Sequence, residues 1–214
     1  MSIPKKEKFS QKLLLEGKDD LFVTAAICEK LRVVETFDLI DCDGVSNIPT
    51  HINLYWLKKR PDVKTLGIIL DADTSLASRW QSLKQHLEKL NYEVPETPTT
   101  GGTIIEGKER NPNIGIWLMP DNNAIGMLED FVKYLIPEND TLLAHADRIL
   151  SEIEAGQLHK YNPIHKSKAR IHTWLAWQED PGTPMGLAIT KSYLSTNTEL
   201  CQRFVGWLNQ LFNS

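Results

Sequence analysis

The fold is decided by one stretch of sequence, Leu66-Gly67-Ile68-Ile69-Leu70-Asp71-Ala72-Asp73. Its first five residues form a continuous apolar run, whereas a half-buried strand would alternate apolar and polar side chains. A continuous run is typical of a parallel strand that is buried on both faces of a sheet. Two acids follow the run at once, so we expect Asp71 and Asp73 at the carboxyl end of this strand.

Three other continuous apolar runs predict further strands, and they cover residues 13–15, 37–42 and 114–119. Segments with helical spacing of apolar residues separate the runs and follow the last one, at residues 19–32, 47–59, 76–90 and 125–135. The resulting alternation of strand and helix predicts an α/β fold with a parallel sheet of about four strands flanked by helices. Prolines and glycines between residues 91 and 113 predict a loop with a short strand at Thr103-Ile104-Ile105.

The last third of the chain has a different pattern, because no further continuous apolar run follows Pro137. Helical spacing recurs at residues 140–154, 166–178 and 198–212. We therefore divide the chain into an α/β domain at residues 1–136 and a helical extension at residues 137–214 that packs on it.

Composition excludes several classes of protein. The 214 residues include 24 Lys and Arg and 28 Asp and Glu, and the net charge of -4 gives no overall basic field for binding nucleic acid. The three cysteines, Cys28, Cys42 and Cys201, form no C-x-x-C pair, which argues against a zinc site or a disulfide scaffold. No apolar stretch approaches the length of a membrane span, so we expect a cytoplasmic protein.

Acids follow three of the predicted strands. Glu16 follows the first, Asp71 and Asp73 follow the third, and Asp121 follows the fourth. The carboxyl ends of parallel strands meet at one edge, and alternation along the chain points Asp71 and Asp73 to the same side. One or two carboxylates, with waters and phosphate oxygens, are the usual ligands of Mg²⁺. The alternative is that each acid caps the helix that follows it.

Two short motifs resemble the signature of the Toprim fold, which topoisomerases, DnaG-type primases, OLD-family nucleases and RecR-like repair proteins share. They are Leu13-Leu14-Leu15-Glu16-Gly17-Lys18-Asp19-Asp20 and Leu70-Asp71-Ala72-Asp73, within a match over residues 12–135. The resemblance implies a Toprim-like, Rossmann-type sheet. It also implies that Glu16 is the general acid or base of phosphoryl transfer, and that Asp71 and Asp73 bind Mg²⁺ or Mn²⁺.

Two further assignments come from the OLD-type nucleases. Leu128-Glu129 resembles a later acidic motif that completes a second metal site, and Lys168 resembles a lysine beside the scissile phosphate. Glu129 and Asp130 are adjacent on a predicted helix, so only one of them can face the site.

The chain as a whole is similar to a small uncharacterised family of stand-alone Toprim-like proteins. The segments that carry this resemblance are residues 116–123, 126–130 and 171–178. This family has no assigned reaction.

A phosphate-binding G-x-x-x-x-G-K-[ST] motif is missing, which excludes the ATPase of the OLD type. We therefore expect a Mg²⁺-dependent phosphodiester hydrolase that acts on nucleic acid in defence or repair. One alternative is a non-catalytic module that recruits a protein partner. Another is a metal-dependent hydrolase of nucleotides.

Basic residues cluster late in the chain, where Lys160, Lys166, Lys168 and Arg170 occur without an intervening acid. Together with Lys18 of the first motif, Lys166, Lys168 and Arg170 are candidates for binding a phosphate backbone. The alternative is a solvated helix face balanced by nearby acids. If the patch serves the acids, the amine of Lys166 or Lys168 should lie within about 8 Å, one Debye length, of an acidic side chain of the site.

Two tryptophans follow this basic patch. Trp174 and Trp177 can stack on bases, but their spacing favours packing in the core.

Overall fold

A computed structural model describes residues 7–56, 62–109 and 111–214 of the chain. Their centre is one sheet of five strands in the order β2-β1-β3-β5-β4. The strands are β1 (Gln11–Leu15), β2 (Asp38–Asp41), β3 (Thr65–Asp71), β4 (Thr103–Ile105) and β5 (Asn113–Met119).

Four of the strands run parallel, as predicted. β1 pairs with β2 and β3, and β3 pairs with β5. The register places Leu15 beside Ile69 and Asp71 beside Met119, so these strands end together at one edge of the sheet. The short strand predicted at residues 103–105 is β4, which pairs antiparallel with β5. The predicted α/β class is therefore confirmed, with a mostly parallel sheet flanked by helices.

Most of the helices occupy the predicted segments. They are α1 (Lys18–Lys30), α2 (Ile48–Trp56), α3 (Leu76–Glu88), α4 (Leu128–Lys133), α5 (Leu142–Ala155), α6 (Lys166–Leu175), α7 (Met185–Thr190) and α8 (Glu199–Phe212). Residues 57–59, the predicted end of the second helix, lie outside the described residues. The sequence did not indicate α7, because six residues are too few to show helical periodicity. Within the described chain, no helix is both long enough and apolar enough to cross a membrane.

The helices divide between the two faces of the sheet, and each face has its own hydrophobic core. One core joins the sheet to α2 and α3 through Ile52, Trp80, Leu83 and Leu87. The other core joins the sheet to α1 and α4–α8, with members such as Ile27, Phe131, Ala146, Trp174, Ala188 and Phe204. The helices after residue 137 therefore share a core with the strands.

The two tryptophans near the end of α6 have different environments. Trp174 is fully buried, as the helical pattern predicted. Trp177 is 40% exposed, so the prediction that it packs in the core is wrong. The reason is that α6 ends at Leu175, and the helical spacing no longer sets the direction of Trp177.

A pair of glycines lets α8 approach the sheet closely. Gly67 of β3 and Gly115 of β5 lie side by side. A Cβ atom on Gly115 would lie 2.1 Å from Leu211 Cδ2, and one on Gly67 would lie 2.8 Å from Phe212 Cζ. Neither position therefore has room for a side chain unless α8 moves.

We expect Gly115→Ala to lower the free energy of unfolding by about 1–3 kcal/mol, because the added methyl group overpacks the contact with Leu211. Gly206→Ala is the matched control. Gly206 lies within α8, and a Cβ atom there would have no neighbouring atom within 4 Å, so its helix should gain about 0.5–1 kcal/mol. Urea unfolding measures both values, and equal stability of the two variants would contradict the close-contact argument.

Candidate functional site

The first two acids of the site follow neighbouring parallel strands. Glu16 comes directly after β1, and Asp71 is the last residue of β3. Their strands are adjacent in the sheet, and the amide of Asp71 donates a hydrogen bond to Glu16 Oε2 at 3.4 Å. The predicted convergence of these two residues is therefore present at the carboxyl edge of the sheet.

Asp20 is a third acid at this edge, and the sequence reasoning did not assign it. Its side chain is buried in the first turn of α1, where Oδ2 accepts a hydrogen bond from the amide of Gly17 at 3.1 Å. Its other oxygen, Oδ1, is buried with no hydrogen-bond partner among the residues that the structure describes. The signal in the sequence was the four-residue spacing from Glu16, which brings both acids to the junction of β1 and α1.

Glu129 completes the buried acids, and Lys168 lies beside it. Glu129 is buried in the first turn of α4. Lys168 Nζ lies 3.6 Å from Glu129 Oε1, while 49% of the lysine side chain stays exposed. The neighbouring Asp130 instead accepts hydrogen bonds from the amide of Met127 and from the hydroxyl of Ser167, at 3.0 and 2.6 Å. The expectation that only one of the two acids faces the site agrees with these contacts.

Two loops at this edge are joined through their backbones. The amide of Asp73 donates to the carbonyl of Gly126 at 2.8 Å, and the amide of Gly126 donates back at 2.9 Å. Gly126 has a φ of 139°, and a Cβ atom there would lie 2.6 Å from Asp130 Oδ2. The bridge brings α4 to the end of β3, where the amide of Leu128 donates to Asp71 Oδ1 at 2.9 Å.

Arg79 of α3 also contacts the loop after β3. Its Nε donates to the backbone carbonyl of Asp71 at 2.8 Å, and its Nη2 forms an ion pair with the carboxylate of Asp73. The sequence reasoning did not assign Arg79, because a lone arginine in an amphipathic helix has no distinctive pattern. Its contact with Asp73, six residues earlier, depends on the turn between β3 and α3.

Burial and mutual repulsion shift the pKa values of several of these acids. Burial raises the pKa of Asp71 to about 9, and the charges of Asp20, Glu16, Glu129 and Asp73 add to the effect. Burial likewise raises the pKa of Asp20 to about 7, with a further contribution from Glu16. The pKa of Glu16 is raised by burial, although the hydrogen bond from the Asp71 amide and the charge of Arg79 oppose this.

The basic residues predicted to bind phosphate have different environments. Lys166 forms an ion pair with Glu154 at 2.5 Å, and Arg170 forms one with Asp147, also at 2.5 Å. Both of these acids lie on α5, so this part of the patch is a helix face balanced by a neighbouring helix. Lys18 is exposed at the first position of α1. Lys168 is the member of the patch that contacts an acid of the site, Glu129.

Asp121 does not share the environment of the other acids. Its Oδ1 accepts hydrogen bonds from the amides of Asn123 and Ala124, at 3.0 and 2.7 Å. It lines a separate surface depression of about 770 Å³ with Tyr134 and Arg203. Asp121 therefore stabilises the turn after β5 and does not cap the following helix, α4, which begins only at Leu128.

The carboxylates at the strand ends suit a hard cation. Across the described residues, no three or more His, Cys, Asp or Glu side chains form a ready-made metal cage. Mg²⁺ does not need such a cage, because one or two carboxylates and several waters complete its octahedron. The unpartnered Oδ1 of Asp20 and the raised pKa of Asp71 are both features that a nearby positive charge would relieve.

We expect Asp71→Asn to stabilise the protein in EDTA at pH 8 by at least about 1.4 kcal/mol, the equivalent of one pKa unit. The folded-state pKa of about 9 lies above the ordinary value of 3.8. The folded wild type therefore holds this proton more tightly than the unfolded chain. The contribution of Asp71 to stability is fully present below about pH 4 and is lost as the pH rises towards 9. Asparagine cannot ionise in either state, so it removes this preference for the unfolded chain, and its side-chain oxygen still accepts the hydrogen bond from the Leu128 amide.

Urea unfolding at pH 4 and pH 8 tests this expectation. The gain from Asp71→Asn should be present at pH 8 and nearly absent at pH 4, where the acid is protonated in the folded state and about half protonated in the unfolded chain. Asp121→Asn is the matched control, and it should leave the difference between the two pH values unchanged. An Asp71→Asn protein less stable than the wild type at pH 8 would contradict the repulsion argument.

Comparison with known proteins identifies a family. A family model described as "Protein of unknown function (DUF3226)" matches residues 10–213. Neither the curated proteins nor the solved structures contain a match to this chain. Because the family model covers nearly the whole sequence, the protein belongs to the DUF3226 family of proteins of unknown function.

Proposed function

We propose that this protein is a Mg²⁺- or Mn²⁺-dependent phosphodiester hydrolase of Toprim type that acts on nucleic acid. The observation that carries the proposal is the convergence of acids at one edge of a parallel sheet, with an exposed lysine beside them. The two motifs that resemble Toprim end β1 and β3, which are neighbours in the sheet. The carboxyl edge of such a sheet is where α/β proteins bind their ligands.

Each residue at the edge has a role that its contacts support. Asp71 and Asp73 would hold the cation, and Glu16 and Glu129 are further candidate ligands. The bound cation would polarise a phosphoryl oxygen and neutralise the charge that develops on it. Burial raises the pKa of Glu16, which favours its protonated form and suits a group that exchanges a proton during the reaction. Lys168 would offset the charge of the phosphate.

We favour a polymer as the substrate, because neither depression described on the chain encloses the acids. One depression lies along α3 and the other beside Asp121, and neither is lined by Glu16, Asp71 or Asp73. A mononucleotide is normally enclosed in a pocket that buries most of its surface. The edge that carries the acids therefore favours a chain that passes over it.

The partner-binding alternative has less support from the described contacts. A docking site for a protein would present an apolar patch at its centre, with charged groups at the rim. The side chains that come together at the edge, Glu16, Asp20 and Asp71, are instead acidic. We retain nucleotide hydrolysis and partner recruitment as outcomes that the experiment below distinguishes.

We expect the purified protein to cleave end-labelled DNA or RNA when Mg²⁺ or Mn²⁺ is present. Asp71→Asn should lower kcat by at least about 100-fold, because it weakens the charge stabilisation at the reacting phosphate. Lys168→Gln should lower kcat/KM by about 10-fold or more, because the charge that offsets the phosphate is lost. Glu93→Gln and Lys89→Gln remove an exposed acid and an exposed base, and both should leave the rate unchanged.

The same assay contains the outcomes that would contradict the proposal. Single- and double-stranded forms of DNA and RNA are tested in parallel with nucleoside triphosphates. Hydrolysis of the triphosphates alone would favour the nucleotide alternative. Cleavage that Asp71→Asn leaves intact would assign the activity to another site or to a contaminant. Absence of both cleavage and Mn²⁺ binding would favour the partner-binding alternative.

A further inference from the structure

Two cations contact the acids, and they come from opposite faces of the sheet. Lys168 belongs to α6, whose buried residues Ile171 and Trp174 pack in one hydrophobic core. Arg79 belongs to α3, whose buried residue Trp80 packs in the other core. The acids at the strand ends therefore lie between a lysine on one side and an arginine on the other.

Arg79 has unused hydrogen-bonding capacity. A guanidinium has five N–H donors in a planar fork. The contacts of Arg79 with Asp71 and Asp73 use two of them. The other three have no partner among the described residues, and 19% of the side chain remains exposed to solvent. The two contacts fix the plane of the guanidinium, so the free donors have a defined direction.

A fixed arginine with free donors is suited to phosphate. The guanidinium fork binds two phosphate oxygens at once, whereas a lysine presents a single point charge. Because Asp73 already holds one side of the fork, little side-chain entropy remains to be lost when an anion binds. Arg79 is thus a better-organised anion ligand than an arginine that is free in solvent.

We propose that Arg79 is a second phosphate-binding residue, and that the substrate carries phosphates on both sides of the bond that is hydrolysed. This inference rests on the proposed function and narrows its substrate. Lys168 and Arg79 would each hold one phosphate of a polynucleotide, with the reacting phosphate between them over the acids. The phosphates of a free nucleotide extend from one side of the nucleoside only, so a polynucleotide matches two cations on opposite sides of the acids better.

The experiment measures binding separately from cleavage. The protein carries Asp71→Asn, which removes one repelling charge, and EDTA prevents turnover. The probe is a fluorescein-labelled single-stranded DNA of 12 nucleotides, followed by fluorescence anisotropy at several salt concentrations. Each phosphate contact adds about 0.7 to the slope of log K against log salt for a single strand.

Arg79→Gln and Lys168→Gln should each reduce this slope by about 0.7, and the double variant should reduce it by about 1.4. Arg79→Lys should keep the slope, because the charge remains, and should bind about 3- to 10-fold more weakly because the fork is lost. Lys89→Gln is the control at the far end of the same helix. Lys89 lies about 15 Å along the helix from Arg79, so the slope and affinity of this variant should match those of the parent protein.

An unchanged slope in Arg79→Gln would overturn the inference, and so would the absence of DNA binding by the parent protein. Arg79→Lys keeps the positive charge beside Asp73. If Arg79→Gln loses DNA binding because it unfolds, Arg79→Lys still tests the inference. Cleavage by the wild type is scored independently. A wild type that cleaves while Arg79→Gln keeps its slope rejects the role of Arg79 alone, whereas an inactive wild type rejects the proposed function.

Discussion

Two backbone hydrogen bonds, between Asp73 and Gly126, hold together the loops on which the acidic edge depends. One loop follows β3 and the other leads into α4. Their junction presents Asp71 to the amide of Leu128, and it brings Glu129 towards the strand ends. Like charges with little water between them repel strongly, so the acids stay together because the backbone does not let the loops separate. Glycine at position 126 meets this need, since a Cβ atom there would contact Asp130.

The charge at this edge is not balanced within the described chain. Two cations, Arg79 and Lys168, contact acids there. The acids that interact are more numerous: Glu16, Asp20, Asp71, Asp73 and Glu129. Stability alone does not favour such an arrangement, because a buried carboxyl group either carries an uncompensated charge or holds a proton that the unfolded chain releases. Clusters of acids that destabilise the fold are typical of functional sites, where some stability is lost so that the charged groups are already in place for a ligand.

The sequence predicted several features of the structure correctly, each for a physical reason. Continuous apolar runs predicted the parallel strands, and the acids after them predicted the edge where Glu16 and Asp71 meet. The prediction that Lys166 or Lys168 lies close to the acids is confirmed for Lys168. The sequence did not predict the short helix α7, because helical periodicity is visible only over several turns. It did not predict the exposure of Trp177 either, because Trp177 lies beyond the end of α6, where helical spacing no longer applies.

The sequence by itself determined the α/β class, the order of the elements and the set of acids that follow the strands, because these depend on local pattern and on the geometry of parallel sheets. Only the tertiary structure decided which charged side chains face one another. Asp20 and Arg79 enter the site through packing of α1 and α3 on opposite faces, while Asp121 stabilises its own turn. Lys166 and Arg170 pair with α5 and not with the site. Contacts between distant segments depend on helix packing, which no local pattern in a single sequence encodes.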